Sequence, residues 1–221
     1  MSLLRPPRSW VRIFAALLLV CSVSSASSPR AQQASSGRLE PFSSREQKRL
    51  SKGKSVKRKF QIEQGGRSYH AGLSYRLVKG TPMDVIRTLR RPQAILTAIP
   101  YGLEATTLSE KRGVSRIRIL QGKRPVTGEY TVWLDWDLPN YRARFWLDPS
   151  EPHDIRDIWG VFSAREVRPG WTLVSFGFAF DIGGMGELLE DKAQKWALRT
   201  ADRLVRLMKS RARSSTGSSR K

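Results

Sequence analysis

The chain has 221 residues, 39% of them hydrophobic, with one cysteine and a formal net charge of +21. That length supports one domain with a real core. A single cysteine excludes an internal disulfide framework. The charge looks like a nucleic-acid signature until it is divided along the chain.

Residues 1–26 carry Arg5, Arg8 and Arg12 and no acid. Residues 27–59 carry ten basic residues against Glu40 and Glu46, a net of +8, and residues 209–221 carry five basic residues and no acid. Residues 60–208 hold 22 basic and 17 acidic residues, a net of only +5. The basicity therefore sits in flanks and not on a folded recognition face. That argues against nucleic acid as the partner.

In chain order, Arg5, Arg8 and Arg12 precede the apolar run Ile13–Val23 and the small residues Ser24, Ser25 and Ala26. This is the pattern of a secretory signal, which predicts an exported protein, periplasmic or secreted. An uncleaved inner-membrane anchor over 11–26 is the alternative, although the run falls short of the ~20 residues that span a bilayer. Cys21 lies inside the run, so a cleaved chain holds no cysteine. Residues 27–49 lack apolar periodicity and predict a disordered linker. The basic stretch from Lys48 to Lys59 either draws the chain to anionic headgroups, at roughly 1 kcal/mol per basic residue, or is simply solvated.

A folded domain is predicted over 50–208. Val56–Glu63 and Ser68–Val78 flank Gly65-Gly66, which predicts a hairpin. Tyr69, Ala71, Leu73, Tyr75 and Leu77 alternate with His70, Gly72, Ser74 and Arg76, the mark of a strand with one buried face. Thr81, Pro82 and Asp84 predict a capped helix start, and a second short helix runs over Gln93–Ala98. Six more strands follow: Ala105–Lys111, Val114–Gln121, Gly128–Asp137, Tyr141–Leu147, Ile158–Val167 and Thr172–Phe180. Turn signals about every ten residues predict antiparallel neighbours. Arg116, Arg118, Arg142 and Arg144 alternate with apolar residues, and with Asp135 and Asp137 they predict a solvent face.

The last element is a helix over Glu187–Met208, roughly 30 Å long. Leu189, Ala193, Trp196, Thr200, Leu204 and Leu207 form one apolar stripe on it. The fold class is therefore α+β, a curved antiparallel sheet of six to eight strands wrapped around a long C-terminal helix. Strand and helix side chains cannot meet everywhere, so such a sheet can leave a cavity. The tail 209–221 is predicted disordered.

The order resembles the START-like, or Bet v 1-like, helix-grip superfamily (SRPBCC), nearest its bacterial polyketide-cyclase and coenzyme-Q-binding branch. The resemblance rests on Tyr75-Arg76-Leu77-Val78 leading into Thr81-Pro82-Met83-Asp84-Val85, on Ile99-Pro100, and on Gly128-Glu129-Tyr130 opening a long strand. It covers roughly 50–208. Family members often carry a Trp where Ile86 and Arg87 stand here. The resemblance implies an apolar pocket beneath the long helix, in proteins that bind or carry lipids, quinones, sterols or polyketides. A minority cyclise or dehydrate the bound ligand.

No metal constellation, cofactor motif or catalytic set stands out. His153 and Asp154 in Glu151–Asp157 have the types of a general acid and base, but the bland reading is a turn-forming loop. Asp181 at the strand-to-helix junction suits a cap or turn better than a ligand contact. The candidate cavity-lining residues are Phe145, Phe162, Phe176, Phe178, Leu189, Ala193, Trp196 and Thr200. A filled core and an apolar cavity have the same composition, so these residues predict one or the other. The leading expectation is a carrier of a hydrophobic small molecule, with basic flanks near an anionic membrane. A cyclase or dehydratase is the alternative, and a polyanion binder a third.

Overall fold

The structure, a computed structural model, describes residues 42–99, 101–123, 126–183, 187–203 and 206–207. The predicted signal, most of the predicted linker, Pro100 and the tail 209–221 lie outside them. The described order is α1 (Ser44–Ser51), β1 (Val56–Gln64), β2 (Arg67–Lys79), α2 (Pro82–Leu89), α3 (Pro92–Ala98), β3 (Gly102–Lys111), β4 (Val114–Lys123), β5 (Val126–Asp137), β6 (Arg142–Leu147), β7 (Asp157–Arg168), β8 (Trp171–Asp181) and α4 (Glu187–Ala197). The strands form one antiparallel sheet, β1-β2-β8-β7-β6-β5-β4-β3. With the C-terminal helix and the short helices, this is the expected helix-grip α+β architecture. The connection from β2 to β3 runs from one side of the sheet to its far edge and carries α2 and α3 across the concave face.

Local chemistry sets the punctuation. Gly65 and Gly66 take φ of 59° and 73°, the left-handed pair that a tight two-residue hairpin requires. In α2, the Thr81 hydroxyl accepts from the Asp84 N–H and the Asp84 carboxylate accepts from the Thr81 N–H, with Pro82 at the first position. This reciprocal cap leaves Val85, Ile86 and Leu89 to bury against the sheet.

Two expectations need correction. The predicted linker 27–49 ends earlier than its composition suggests, because Ser44–Ser51 is helical. Its capping box joins Ser43 and Glu46, and Arg58 of β1 donates to both oxygens of Glu46. Phe42 and Leu50 then bury against Val56, Leu77 and Leu173. The second is the single buried face read for β2, because Gly72, Ser74 and Val78 are buried as well as Tyr69, Ala71 and Leu77. In register, Ala71 faces with Ala179 and Leu77 with Leu173, whereas Gly72 faces with Phe178 and Ser74 with Phe176. The sheet buries both faces here, and α1 covers part of the convex one.

The C-terminal helix is not continuous. α4 ends at Ala197, where the Arg199 N–H bonds Trp196 O at 2.9 Å, an i→i−3 step, before helix resumes at residues 200–203. The predicted end at Met208 lies outside the described residues. The buried residues are Gln194, Leu198, Thr200 and Ala201, so the inward face is rotated from the predicted stripe, of which Thr200 stays buried. Gln194 causes the rotation: its side-chain amide donates to Phe60 O at 3.0 Å and Ala71 O at 2.7 Å. Leu198 comes so close to β2 that a Cβ on Gly72 would stand 2.8 Å from its Cδ2.

Asp202 completes this clamp. It takes Lys57 at 2.7 Å and Arg76 at 2.6 Å, and Ser55 Oγ donates to it at 3.2 Å. Burial pushes its pKa up, but the hydrogen bonds and charges of Lys57 and Arg76 outweigh burial and hold it below the usual value. A depressed carboxyl pKa contributes stability that is fully present above the unfolded value of about 3.8 and is lost as pH falls through the folded value. Asp202→Ala is expected to cost about 2–3 kcal/mol, because two half-desolvated cations lose their shared anion. Urea unfolding at pH 7 and pH 3 checks it. The deficit should be largest at pH 7, and an equal deficit at both would discount the ion pairs.

Candidate ligand-binding cavity

Three polar clamps tie α4 and its continuation to β1 and β2: Asp191 with Lys59 at 2.6 Å, Gln194 with the two carbonyls, and Asp202 with Lys57 and Arg76. The helix is thereby held over one side of the concave face. The side formed by β4 and β5 is covered by α2 and α3 instead. Between the two covers lies a cavity of about 150 Å³. A water needs roughly 10–15 Å³ by this kind of measure, so the space admits an organic ligand or part of one.

Its walls follow from strand alternation. β4 supplies Ile117 and Ile119, and β5 supplies Tyr130, Val132, Leu134 and Trp136. β6, β7 and β8 supply Phe145, Ile158, Phe162, Phe176, Phe178 and Phe180. The phenylalanines form a continuous wall, with centroids 4.5 Å apart for Phe162–Phe176, 5.5 Å for Phe176–Phe178 and 5.9 Å for Phe178–Phe180. Stacked and tilted ring pairs of this kind contribute about 0.5–1.5 kcal/mol each beyond burial. The helical cover is small-sided: Ala193 and Ala197 of α4 and Thr200 beyond it, with Leu89, Ile95, Ala98 and Ile99 opposite. Alanine above a phenylalanine wall leaves volume that no side chain occupies, which is the local cause of the cavity.

The polar inventory is short. Among the described residues no charged side chain lines the cavity. The Tyr130 hydroxyl donates to Gln121 Oε1 at 2.6 Å. Complete burial pushes the Tyr130 pKa far up, so this phenol keeps its proton at any working pH. Thr200 adds one hydroxyl-bearing side chain.

Of the candidates named from the sequence, Phe145, Phe162, Phe176, Phe178, Ala193 and Thr200 stand on the cavity wall. The side chain of Leu189 lies outside the described residues. Trp196 corrects the prediction: with the buried face centred on Gln194, its ring turns off the cavity and meets Tyr101 edge to face at 4.4 Å. Sequence reasoning missed Tyr130, Gln121 and Ile155. Tyr130 carried a signal, since it alternates with Val132, Leu134 and Trp136.

Ile155 shows what the acidic loop after β6 does. This loop, which includes His153, is pinned at three points. Asp148 is 1% exposed, accepts from Ser150 N–H at 3.0 Å and pairs with Arg116. Asp154 accepts from the Glu129 N–H at 2.7 Å, and the Arg156 N–H donates to Asp181 O at 2.9 Å. These bonds push Ile155 into the cavity as part of its floor. Arg116 is thus a half-buried pin rather than a solvent-face residue. His153 stays exposed, its Nδ1 2.7 Å from Ile155 O. Asp181 accepts from the Gly183 N–H at 2.8 Å, the expected turn. It faces the convex side beside Asp157, whose pKa burial pushes up and which accepts from Tyr69 Oη at 2.8 Å. These carboxylates are therefore not directed at the cavity.

No family profile and no curated protein matches the chain. Solved structures do. The chain is similar to the TTHA0849 protein of Thermus thermophilus, with TM-score 0.54 and 17% identity over 65% of this chain and 97% of that one. It is similar to a STAR-related lipid transfer protein (fragment 25–204) of Xanthomonas axonopodis, with TM-score 0.53 and 10% identity over 68% and 98%. A third is the Zhui aromatase/cyclase of Streptomyces sp. R1128, with TM-score 0.51 and 13% identity over 72% and 94%. Likeness at these identities shows the fold: it is the START-like, Bet v 1-like helix-grip fold expected from the element order.

Proposed function

We propose that this chain is an exported protein that binds or carries a hydrophobic small molecule, lipid, quinone or polyketide-like, in the cavity between sheet and α4. The observation that carries the reading is an apolar cavity of about 150 Å³ with no charged side chain among its described lining. Burying an apolar ligand there gains roughly 25 cal/mol per Å² removed from water. Burying an ionised group there, with no counter-charge, costs several kcal/mol. Two neighbours of the same fold are named as a lipid transfer protein and an aromatase/cyclase, which supports a ligand of this class. The basic flanks, 27–59 and 209–221, would hold the protein near anionic membrane, and residues 1–26 would export it.

A cyclase or dehydratase remains the second reading, with Tyr130 and Gln121 as its polar pair. A phenol that keeps its proton is suited to hydrogen bonding a ligand oxygen and poorly suited to removing a proton.

Uptake of N-phenyl-1-naphthylamine, a neutral dye that brightens in apolar surroundings, tests the cavity. The wild type should bind it, and Ala197→Trp, which fills the space beneath α4, should weaken binding at least tenfold with an unchanged fold by circular dichroism. Equal uptake by both proteins would sink the reading. Lipid extraction of the purified chain followed by mass spectrometry would then name the resident molecule.

A further inference from the structure

The seam between the C-terminal helix and the α3–β3 connection has a surface chemistry that the cavity does not need. Lys192, Lys195, Arg199 and Arg206 are exposed, at steps of three, four and seven, along one side of the helical segment. Lys195 pairs with Asp191, but among the described residues no carboxylate pairs with Lys192, Arg199 or Arg206. Beside this stripe Trp196 meets Tyr101, and neither ring is buried. The Lys123 ammonium stands 5.0 Å from the Tyr101 ring. Leu103, at a register shift in the edge strand β3, is 45% exposed. Glu104 beside it accepts from Thr106 Oγ1 at 3.0 Å. Arg203 Nη1 donates to the carbonyl of Ile99, a cavity-lining residue, at 3.0 Å, so the seam borders the cavity.

We infer that this seam is a docking surface for an anionic phospholipid bilayer. Exposed cations with no carboxylate partner among the described residues suit headgroup phosphates, Trp and Tyr settle at the depth where headgroups meet acyl chains, and an exposed leucine gains by entering the hydrocarbon. A nucleic acid would use the same cations but has no place for Leu103. Docking here turns the α3–α4 side of the cavity toward the membrane, so a hydrophobic ligand would pass between the two without crossing water. The surface is distinct from the basic flanks, which attract without setting an orientation.

The test uses the full chain with Cys21→Ser and a single cysteine, either Leu103→Cys or Glu63→Cys on the opposite edge strand, labelled with the environment-sensitive fluorophore NBD. With vesicles of phosphatidylcholine containing phosphatidylglycerol, the label at 103 should shift to the blue and be quenched by spin-labelled lipid, and the label at 63 should not. Lys123→Gln with Arg199→Gln should weaken vesicle binding by about fivefold per residue, the ratio that ~1 kcal/mol per cation implies. Equal responses at 103 and 63, or no vesicle binding, would overturn the inference. So would a stronger response at 103 to single-stranded RNA than to vesicles. Dye uptake by the double variant reads the cavity separately: a chain that docks but takes up no dye keeps this surface and loses the cavity reading.

Discussion

Gly160→Ala is expected to destabilise the protein by about 3 kcal/mol or more, although it adds a single methyl group. Gly160 pairs with Phe145 on the concave face. A Cβ there would stand 2.3 Å from Phe145 Cζ and 2.4 Å from the carbonyl oxygen of Gly177. The ring could turn away, but the carbonyl belongs to the neighbouring strand and cannot move without breaking the β7–β8 pairing. Phe145 also stacks on Phe176 at 6.1 Å, so any escape of its ring narrows the cavity. Urea unfolding gives the stability and dye titration gives the cavity. A loss below about 1 kcal/mol would mean that β7 and β8 tolerate spreading at this point.

Phe176→Ala acts in the opposite sense. Phe176 is 6% exposed and touches the rings of Phe145, Phe162 and Phe178, so it is the hub of the aromatic wall. Removing a buried phenylalanine costs about 3–5 kcal/mol. The lower end is expected here, because the ring already borders empty space and has fewer contacts to lose. The enlarged cavity should accept bulkier ligands. Saturating ligand should then restore stability by mass action, about 2.7 kcal/mol at a hundredfold excess over Kd. Thermal unfolding with and without N-phenyl-1-naphthylamine checks both halves. A variant that loses stability and shows no larger rise in Tm with ligand than the wild type would count Phe176 as core and not as cavity wall.

Much of the chain's chemistry is local and was legible in order. Gly65-Gly66 and the Thr81–Asp84 cap depend on residues within a few positions of one another, and each forms as read. The register of Phe162, Phe176, Phe178 and Phe180 was legible for the same reason, since a period of two puts like-spaced residues on one face. The Ser43–Glu46 capping box was present in the sequence too, but it was lost among basic residues without apolar periodicity. What makes that helix stable is not periodic: Arg58 and the pocket for Leu50 come from the sheet.

The C-terminal helix marks the boundary most clearly. Its existence, its direction and its amphipathic character were set by its own residues, as were the eight strands and their antiparallel order. Which side of it turns inward was decided by Gln194 reaching two carbonyls on β1 and β2 and by Asp202 reaching Lys57 and Arg76, partners 123 or more positions away. Those contacts turned Trp196 out to Tyr101 and left Ala193 and Ala197 above the phenylalanine wall. A hydrophobic stripe fixes a helix's inward side only to within the width of the stripe, whereas a buried hydrogen bond tolerates almost no rotation. The cavity exists because those bonds hold the helix to one side of the sheet, and its volume is a property of that placement.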